Sequence, residues 1–192
     1  MQRRIFLALF ALLPLALAGC GYNQIQALDE QAGSAKQQID VQLQRRADLV
    51  PNLVATVKGY AQHEEEVFTK VAEARAGLLG AIKTGDPAQE ATANAGLTGA
   101  LSRLLMVSEA YPQLKADQSF LRLQDELAGT ENRIATARTD YNQAVQGYNT
   151  YIRTFPQALT AKVTGAKART YFEAAPGSTA APTVDFSKAP AK

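Results

Sequence analysis

Apolar residues recur every seven positions through the third quarter of the chain. The series consists of Phe120, Leu127, Ile134, Tyr141, Tyr148 and Phe155, with Leu123, Ala137, Ala144 and Tyr151 three positions further on. Thr130 alone interrupts the second series. A heptad pattern of this length predicts one helix of about 40 residues and about 60 Å. Such a helix needs partners of similar length that lie nearly parallel to it with a left-handed twist.

A second heptad series fills the first half of the chain and crosses a proline. It consists of Leu43, Val50, Val57, Val71 and Leu78, with Leu53, Tyr60, Val67 and Ala74 between them, and Ile25, Leu28, Ala32, Ala35 and Ile39 upstream. Because the pattern keeps its phase across Pro51, we predict a continuous helix that bends there. Asp48 and Asn52 are then placed to satisfy the backbone groups that the proline frees. The alternative is a break at Pro51, with Asp48 capping a new helix.

Turn residues mark the start of another helix. Gly85 follows the end of one helix, Asp86 is the predicted N-cap of the next, and Pro87 occupies its first position. Gln89 stands where the partner of a capping box belongs. The leucines at 97, 101, 104 and 105 give this helix an apolar face, and the small residues between 91 and 100 favour close approach of neighbouring helices.

The remaining signals complete an all-α fold. Tyr111-Pro112 ends the helix that begins at Pro87, and a short helix is predicted after Phe155-Pro156, extending through Lys162. No useful length of β-type alternation occurs in the sequence. We predict an elongated up-and-down antiparallel helical bundle with a left-handed twist, built from three long helices and a short fourth.

The first twenty residues have the pattern of an export signal. Arg3 and Arg4 give a positive start, residues 5 to 17 are almost wholly apolar, and LAGC at 17 to 20 resembles a bacterial lipobox. A spanning helix needs about 20 apolar residues, so this run is short for one. We predict lipidation of Cys20; the alternative is an ordinary signal peptide with a leftover thiol. Gly21, rather than an aspartate, follows the cysteine, which favours the outer over the inner membrane.

These signals divide the chain into four segments. Residues 1–19 are predicted to be a lipoprotein signal peptide, and residues 20–24 the lipidated cysteine with a short tether. Residues 25–172 form the helical bundle. Residues 173–192, rich in alanine and proline, are predicted to be a flexible tail.

Composition excludes several classes of function. Loss of Arg3 and Arg4 with the signal would leave 18 basic and 18 acidic side chains, so the mature chain has no excess of positive charge for nucleic acid. Cys20 is the only cysteine, which excludes a disulfide framework and a cysteine metal site. An exported domain of this kind must therefore be held together by its apolar core.

Four long motifs are specific enough to carry a family resemblance. They are RRADLVPNLVATVKGYAQHEEE at 45–66, EARA at 73–76, YPQLKADQSFLRLQDELAGTENRIATARTDYNQAVQGYN at 111–149 and FPQALTA from 155. Together they resemble the LemA family, over about residues 40 to 172. The resemblance implies a closed, left-handed helical bundle anchored at its amino terminus, with no established catalytic activity and no cofactor. Many family members resemble single-span membrane proteins, so the lipobox is a departure from the family pattern.

The only histidine lies beside three glutamates but does not form a recognisable site. His63 precedes Glu64 and two further glutamates, yet a zincin needs a second histidine four residues on. A di-iron bundle needs Glu-x-x-His, and the residue three before the histidine is Tyr60. Consecutive glutamates point around a helix and do not converge. We interpret the HEEE run as a solvated face, and neither a nucleophile elbow nor a Walker loop is present. We predict that the protein is not an enzyme and has no cofactor or metal.

Polar groups near the proline define a candidate interaction surface. It comprises Arg45, Arg46, Asp48, Pro51, Asn52, His63 and Glu64. The plainer interpretation is that Arg45 and Arg46, the Glu131 to Arg138 region and the repeated Tyr-Asn pairs at 141–142 and 148–149 make interhelical ion pairs and hydrogen bonds. The alternative is docking of another envelope protein.

The sequence therefore favours a membrane-anchored, non-catalytic scaffold or adaptor of the bacterial cell envelope, facing the periplasm. Its expected partners are the membrane, through the lipid anchor, and an unidentified protein, with no nucleic acid. One alternative is a self-assembling structural protein with homo-oligomer contacts through the small-residue helix. A further alternative is a metal-binding protein that uses carboxylates.

Overall fold

The computed structural model describes the backbone of residues 2–173 and the side chains of residues 21–173. This part of the chain contains six helices and no strand. They are α1 (Gln2–Lys58), α2 (Glu65–Thr84), α3 (Pro87–Ser108), α4 (Pro112–Lys115), α5 (Gln118–Tyr151) and α6 (Gln157–Thr164). The predicted all-α helical bundle is confirmed. The predicted tail from 174 onward lies outside the described residues, as do the side chains of the predicted signal and of Cys20.

The two longest helices form the backbone of the bundle. Helices α1 and α5 pack along each other, α2 returns beside α1, and α3 packs on α2. The core between them is made of fully buried side chains. They include Ile39, Leu43, Leu53, Val57, Leu78, Leu97, Leu104, Phe120 and Ile134. Most of these residues come from the two heptad series, so the periodicity correctly identified the buried faces.

The predicted first helix is two helices. Helix α1 passes through Pro51 without a break, as predicted, but it ends at Lys58, and α2 begins at Glu65. Gly59, which has low helix propensity, follows the end of α1, and the chain turns before α2 runs back along it. Val57 and Val71 are both buried on the two sides of this turn. The heptad spacing therefore continues across the connection between α1 and α2. For this reason the sequence pattern did not reveal that the helix ends at Lys58.

The middle and the end of the heptad series in α5 differ from the prediction. Thr130, the apparent interruption, is 0 % exposed, because its hydroxyl donates to the Glu126 carbonyl at 2.7 Å and needs no water. Phe155, predicted to close the series, is exposed, since α5 ends at Tyr151. The capping of α3 is as predicted: the Asp86 side chain accepts a hydrogen bond from the Ala88 N–H. The capping box with Gln89 is not formed.

The segment that follows α6 lies along α5 and is held by two asparagines. The side-chain amide of Asn142 donates to the Phe172 carbonyl at 2.9 Å and accepts from the Phe172 N–H at 2.8 Å. Asn149 makes the same pair of bonds with Arg169, at 2.9 and 2.8 Å. Asn142 and Asn149 are seven residues apart on α5, a rise of about 10.5 Å, and their partners Phe172 and Arg169 are three extended residues apart, about 10 Å. The equal spacing explains why the Tyr-Asn pair recurs after seven residues. The Tyr141 hydroxyl also donates a hydrogen bond to the Thr170 carbonyl.

Helix α6 fixes the other end of the bundle. Residues 21–24, predicted to be a tether, are helical and belong to α1. A Cβ on Gly21 would lie 3.4 Å from the Thr160 hydroxyl oxygen, so this glycine is in close contact with α6. Ile25 and Ala161 are buried in one small cluster with residues of α5. Residues 21–25 are therefore part of the packed bundle rather than a tether.

Candidate functional site

An arginine of α2 completes the backbone hydrogen bonding that Pro51 interrupts. Proline has no N–H, so the carbonyl four residues before it, that of Ala47, loses its helical donor. Ala47 is fully buried, and the Arg75 side chain donates from Nε to this carbonyl at 2.7 Å. The prediction that Asp48 and Asn52 fill this role is wrong, because both side chains are exposed and the free carbonyl is bonded to a residue of α2. Pro51 leaves the Ala47 carbonyl without its helical donor, and Arg75 supplies the donor instead.

The second arginine of the Arg45-Arg46 pair lies inside the bundle. Arg46 is 4 % exposed; its Nη1 donates to the Asn94 side chain of α3 at 2.5 Å and lies 2.5 Å from Glu131 of α5. The contact with Glu131 is an ion pair without the alignment of a hydrogen bond. Three helices are thus joined at one side chain. Interhelical ion pairs were expected of these two regions, and the structure shows that Arg46 and Glu131 are partners in one; Arg46 is therefore not on the exposed part of the candidate interaction surface.

A second ionic contact joins α1 to α3 nearer the amino-terminal end of α1. Lys36 Nζ lies 2.6 Å from both Asp40 and Glu90, and the Glu90 side chain is fully buried. One carboxylate oxygen of Glu90 accepts from Lys36, and the other has no hydrogen-bond partner among the described residues. A half-satisfied buried carboxylate is costly in its charged form. The site therefore favours a neutral Glu90.

The electrostatics of this pair follow from burial. Burial raises the pKa of Glu90 from 4.5 to about 7, although Lys36 acts in the opposite direction. For Lys36, burial lowers the pKa, but hydrogen bonds to Asp40 and Glu90 outweigh it and the net pKa is raised. The folded protein keeps a proton on Glu90 that the unfolded chain releases above pH 4.5. This group therefore makes folding less favourable as pH rises from about 4.5 to about 7.

A third arginine connects this interior to the C-terminal segment. The guanidinium carbon of Arg138 lies 4.6 Å from the centre of the Phe172 ring, a cation–π geometry. Arg138 Nε and Nη2 are buried and have no hydrogen-bond partner within the described part of the chain. Burial lowers the pKa of Arg138, and Glu131 opposes this effect. The Phe172 ring is therefore the contact that we identify for the Arg138 guanidinium. This contact attaches the C-terminal segment to α5.

The other predicted surface residues fall into two separate groups. Arg45, Asp48, Pro51 and Asn52 are exposed on α1, where Asp48 accepts from the Gln44 side chain at 2.9 Å. Asp48 is also 4.0 Å from Arg75, a long ion pair at the surface. These residues can meet a partner without rearrangement of the core.

His63 and Glu64 lie elsewhere, in the connection between α1 and α2. Asn52, the member of the first group nearest to this connection in sequence, lies six helical residues before Lys58, which is about 9 Å. The candidate interaction surface is therefore divided between α1 and the connection that follows it. The prediction of a helical HEEE face is wrong in part, because α2 begins only at Glu65.

Within residues 21–173, no three His, Cys, Asp or Glu side chains gather in a way that could hold a metal ion. Among the charged groups that the fold brings together, Arg46 and Glu90 are buried, whereas Glu131 and Asp29 are partly exposed. Among the residues that the structure describes, no helix is both long and apolar enough to cross a membrane.

Several residues of this interior were not identified from the sequence. Lys36, Glu90 and Asn94 look like ordinary surface residues in the sequence, and Lys36 lies 54 residues from its partner Glu90. One signal was available for Glu90. It lies seven residues before Leu97, which is buried, so it falls on the apolar face of α3. A charged residue on a buried face indicates either a buried partner of opposite charge or a functional site.

Comparison with known proteins adds a family and several relatives. A model described as the LemA family matches residues 35–186. Magnetosome protein MamQ 1 of Paramagnetospirillum magneticum is 29 % identical over 179 residues, and magnetosome protein MamQ of Magnetospirillum gryphiswaldense is 27 % identical over 179 residues. In both cases 81 % of this chain is covered, and the chain spans 65 % of the relative's length. Protein LemA of Metamycoplasma hominis is 24 % identical over 157 residues, covering 79 % of this chain and 70 % of that protein.

Proposed function

Because the chain belongs to the LemA family, we propose that it is a membrane-anchored, non-catalytic helical scaffold or adaptor of the bacterial cell envelope. The family and its relatives support association with a membrane. The anchor we propose is a lipid on Cys20, on the exported side of the membrane. The observation that carries the proposal is the continuity of α1 from Cys20, the proposed site of the lipid, into the bundle core.

This continuity supports a fixed presentation of the bundle on the membrane. With Cys20 lipidated, Gly21 would be the first residue after the anchor, and it already packs against α6. From Cys20 to Lys58 the helix rises about 57 Å. At the far end, the Tyr60 hydroxyl bonds to Asp117 at 3.0 Å and closes α1 onto the start of α5. A rod of this kind holds a partner at a set height above the bilayer.

The interior supports a structural rather than a catalytic role. Arg46, Glu90 and Asn94 are buried and bond with residues of neighbouring helices, so they fix the register of α1, α3 and α5. Polar residues at a helix seam commonly determine register in this way. The partner-binding face we propose is the exposed group of Arg45, Asp48 and Asn52.

The anchor is tested by metabolic labelling of the full chain with an alkyne fatty acid, followed by separation of membranes. The native chain should carry the label and be recovered with the membranes. Cys20→Ala should carry no label, since the thiol is the acylated group. An unlabelled native chain would show that the anchor is not a lipid on Cys20.

The partner-binding face is tested by charge reversal of Arg45, with Arg103→Glu as the matched control on another exposed helix position. Arg45→Glu should leave the melting temperature unchanged, because the side chain is exposed, and should reduce in-cell crosslinking to a partner. Equal crosslinking by both variants would place the binding face elsewhere.

Self-assembly is a second candidate, favoured by the small residues of α2 and α3. A Cβ on Gly77, Gly80, Gly96 or Gly99 would meet nothing within 4 Å. These glycines are therefore not required for helices of this chain to approach each other, and they leave a smooth surface for a second copy. Crosslinks that join only copies of this chain would favour self-assembly over the adaptor.

A further inference from the structure

Three large apolar side chains are exposed at one end of the bundle. Phe155 is 78 % exposed, Leu159 60 % and Val163 88 %. Phe155 lies in the turn between α5 and α6, and Leu159 and Val163 are four residues apart on the same side of α6. A grouped set of large apolar side chains on a small protein commonly marks an interaction surface. We call these three residues the α6 surface.

The α6 surface lies at the level of the anchor. Gln157 and Thr160 of the same helix lie against Gly21, the residue directly after Cys20. Further along, the Arg169 side chain bonds to Asp29 at 2.7 Å. The chain from Gln157 to Arg169 therefore runs in the same direction as α1, away from the anchor. Phe155 precedes Gln157, so it lies closest to the level of Cys20.

The charge of this region fits the surface of a bilayer. Residues 152–172 contain four basic side chains, Arg153, Lys162, Lys167 and Arg169, and no acidic one. Arg169 is paired with Asp29. The other three are exposed beside the apolar group. Basic residues flanking exposed apolar side chains are typical of helices that lie in the headgroup region, where they attract anionic lipids.

From this placement we propose that Phe155, Leu159 and Val163 insert into the headgroup region of the same bilayer that holds Cys20. The inference rests on the proposed anchorage. Val163 lies eight residues after Phe155, which corresponds to about 12 Å of helical rise. The interfacial region on each side of a bilayer is about 5 to 7 Å thick, so all three side chains reach it only when the bundle leans towards α6. The contact therefore sets the tilt of the bundle on the membrane.

The chain contains no tryptophan, so a single one can report on this surface. The test uses the full chain with Leu159→Trp, reconstituted into phosphatidylcholine and phosphatidylglycerol vesicles whose acyl chains are brominated or not. The matched control is Leu121→Trp, a leucine 45 % exposed near the start of α5, at the far end of the bundle. Vesicle flotation of both variants reports on anchorage independently of fluorescence.

Leu159→Trp is expected to lose most of its emission in brominated vesicles and to show a blue shift, whereas Leu121→Trp is expected to show neither. If both variants float with vesicles and neither is quenched, the α6 surface does not touch lipid and the inference fails while the anchorage stands. If neither floats, the anchorage fails and the inference fails with it. Shielding of Leu159→Trp from iodide without quenching by brominated lipid would overturn the inference in favour of a second copy of this chain.

Discussion

Replacing Glu90 by glutamine should remove a pH dependence of stability that the buried carboxyl creates. Glutamine has the same size and keeps an acceptor oxygen for Lys36, but it does not titrate. The pKa of Glu90 in the folded protein is raised from 4.5 to about 7. The folded state therefore binds a proton that the unfolded state has released, and stability falls as pH rises through this window.

The size of the effect follows from the pKa difference. Each pKa unit corresponds to about 1.4 kcal/mol, so the rise from 4.5 to about 7 corresponds to about 3 kcal/mol. For a chain of this length, that is about 10 °C in melting temperature. Native protein should lose this much more stability than Glu90→Gln when pH is raised across the window.

The assay is urea unfolding followed by far-UV circular dichroism, with native protein, Glu90→Gln and the exposed control Glu73→Gln compared at a series of pH values. The difference between native protein and Glu90→Gln should grow with pH, while Glu73→Gln should follow native protein throughout. Parallel profiles for native protein and Glu90→Gln would refute the argument, because they would show that Glu90 ionises in the folded protein as it does in the unfolded chain.

Four further substitutions test the contacts that hold the helices and the segment after α6 together. Arg75→Ala should lower the unfolding free energy by about 1–3 kcal/mol, because it leaves the buried Ala47 carbonyl unpaired. In a Pro51→Ala background, which restores the helical donor, the loss should be smaller. A double-mutant cycle that shows no coupling between the two substitutions would contradict this. Asn142→Ala and Asn149→Ala should each cost about 1–2 kcal/mol and speed tryptic cleavage of the segment after α6, and unchanged cleavage would show that other contacts hold it. Arg46→Ala should cost about 3 kcal/mol in urea unfolding because it breaks a buried ionic contact, and a loss below about 0.5 kcal/mol would place that side chain at the surface.

Local patterns predicted the elements that depend on local physics. The apolar series of α5, the N-cap of α3 at Asp86 and the passage of α1 through Pro51 were correct, because periodicity, capping and phase are properties of neighbouring residues. The turn after Lys58 was missed because buried residues on both of its sides keep the heptad phase. A pattern of seven does not distinguish a helix that continues from one that ends and begins again in register.

The polar interior could not be predicted because its partners are distant in sequence. The Asn142 and Asn149 repeat was visible, but its partners lie 20 to 30 residues away in a segment without regular structure. Arg45 and Arg46 are adjacent and chemically identical, yet one is exposed and the other buried. The heptad spacing places Arg46, seven residues before Leu53, on the buried face and Arg45 outside it, but the partners of Arg46 come from α3 and α5 and cannot be identified from local spacing.

The anchored adaptor is tested most directly by in-cell crosslinking and mass spectrometry of the native chain beside Cys20→Ala. The account predicts that the native chain carries lipid on Cys20 and crosslinks to one envelope protein through the Arg45 face of α1. Cys20→Ala should lose both the lipid and this crosslink. Crosslinks that are the same in the two forms, or that join only copies of this chain, would contradict it.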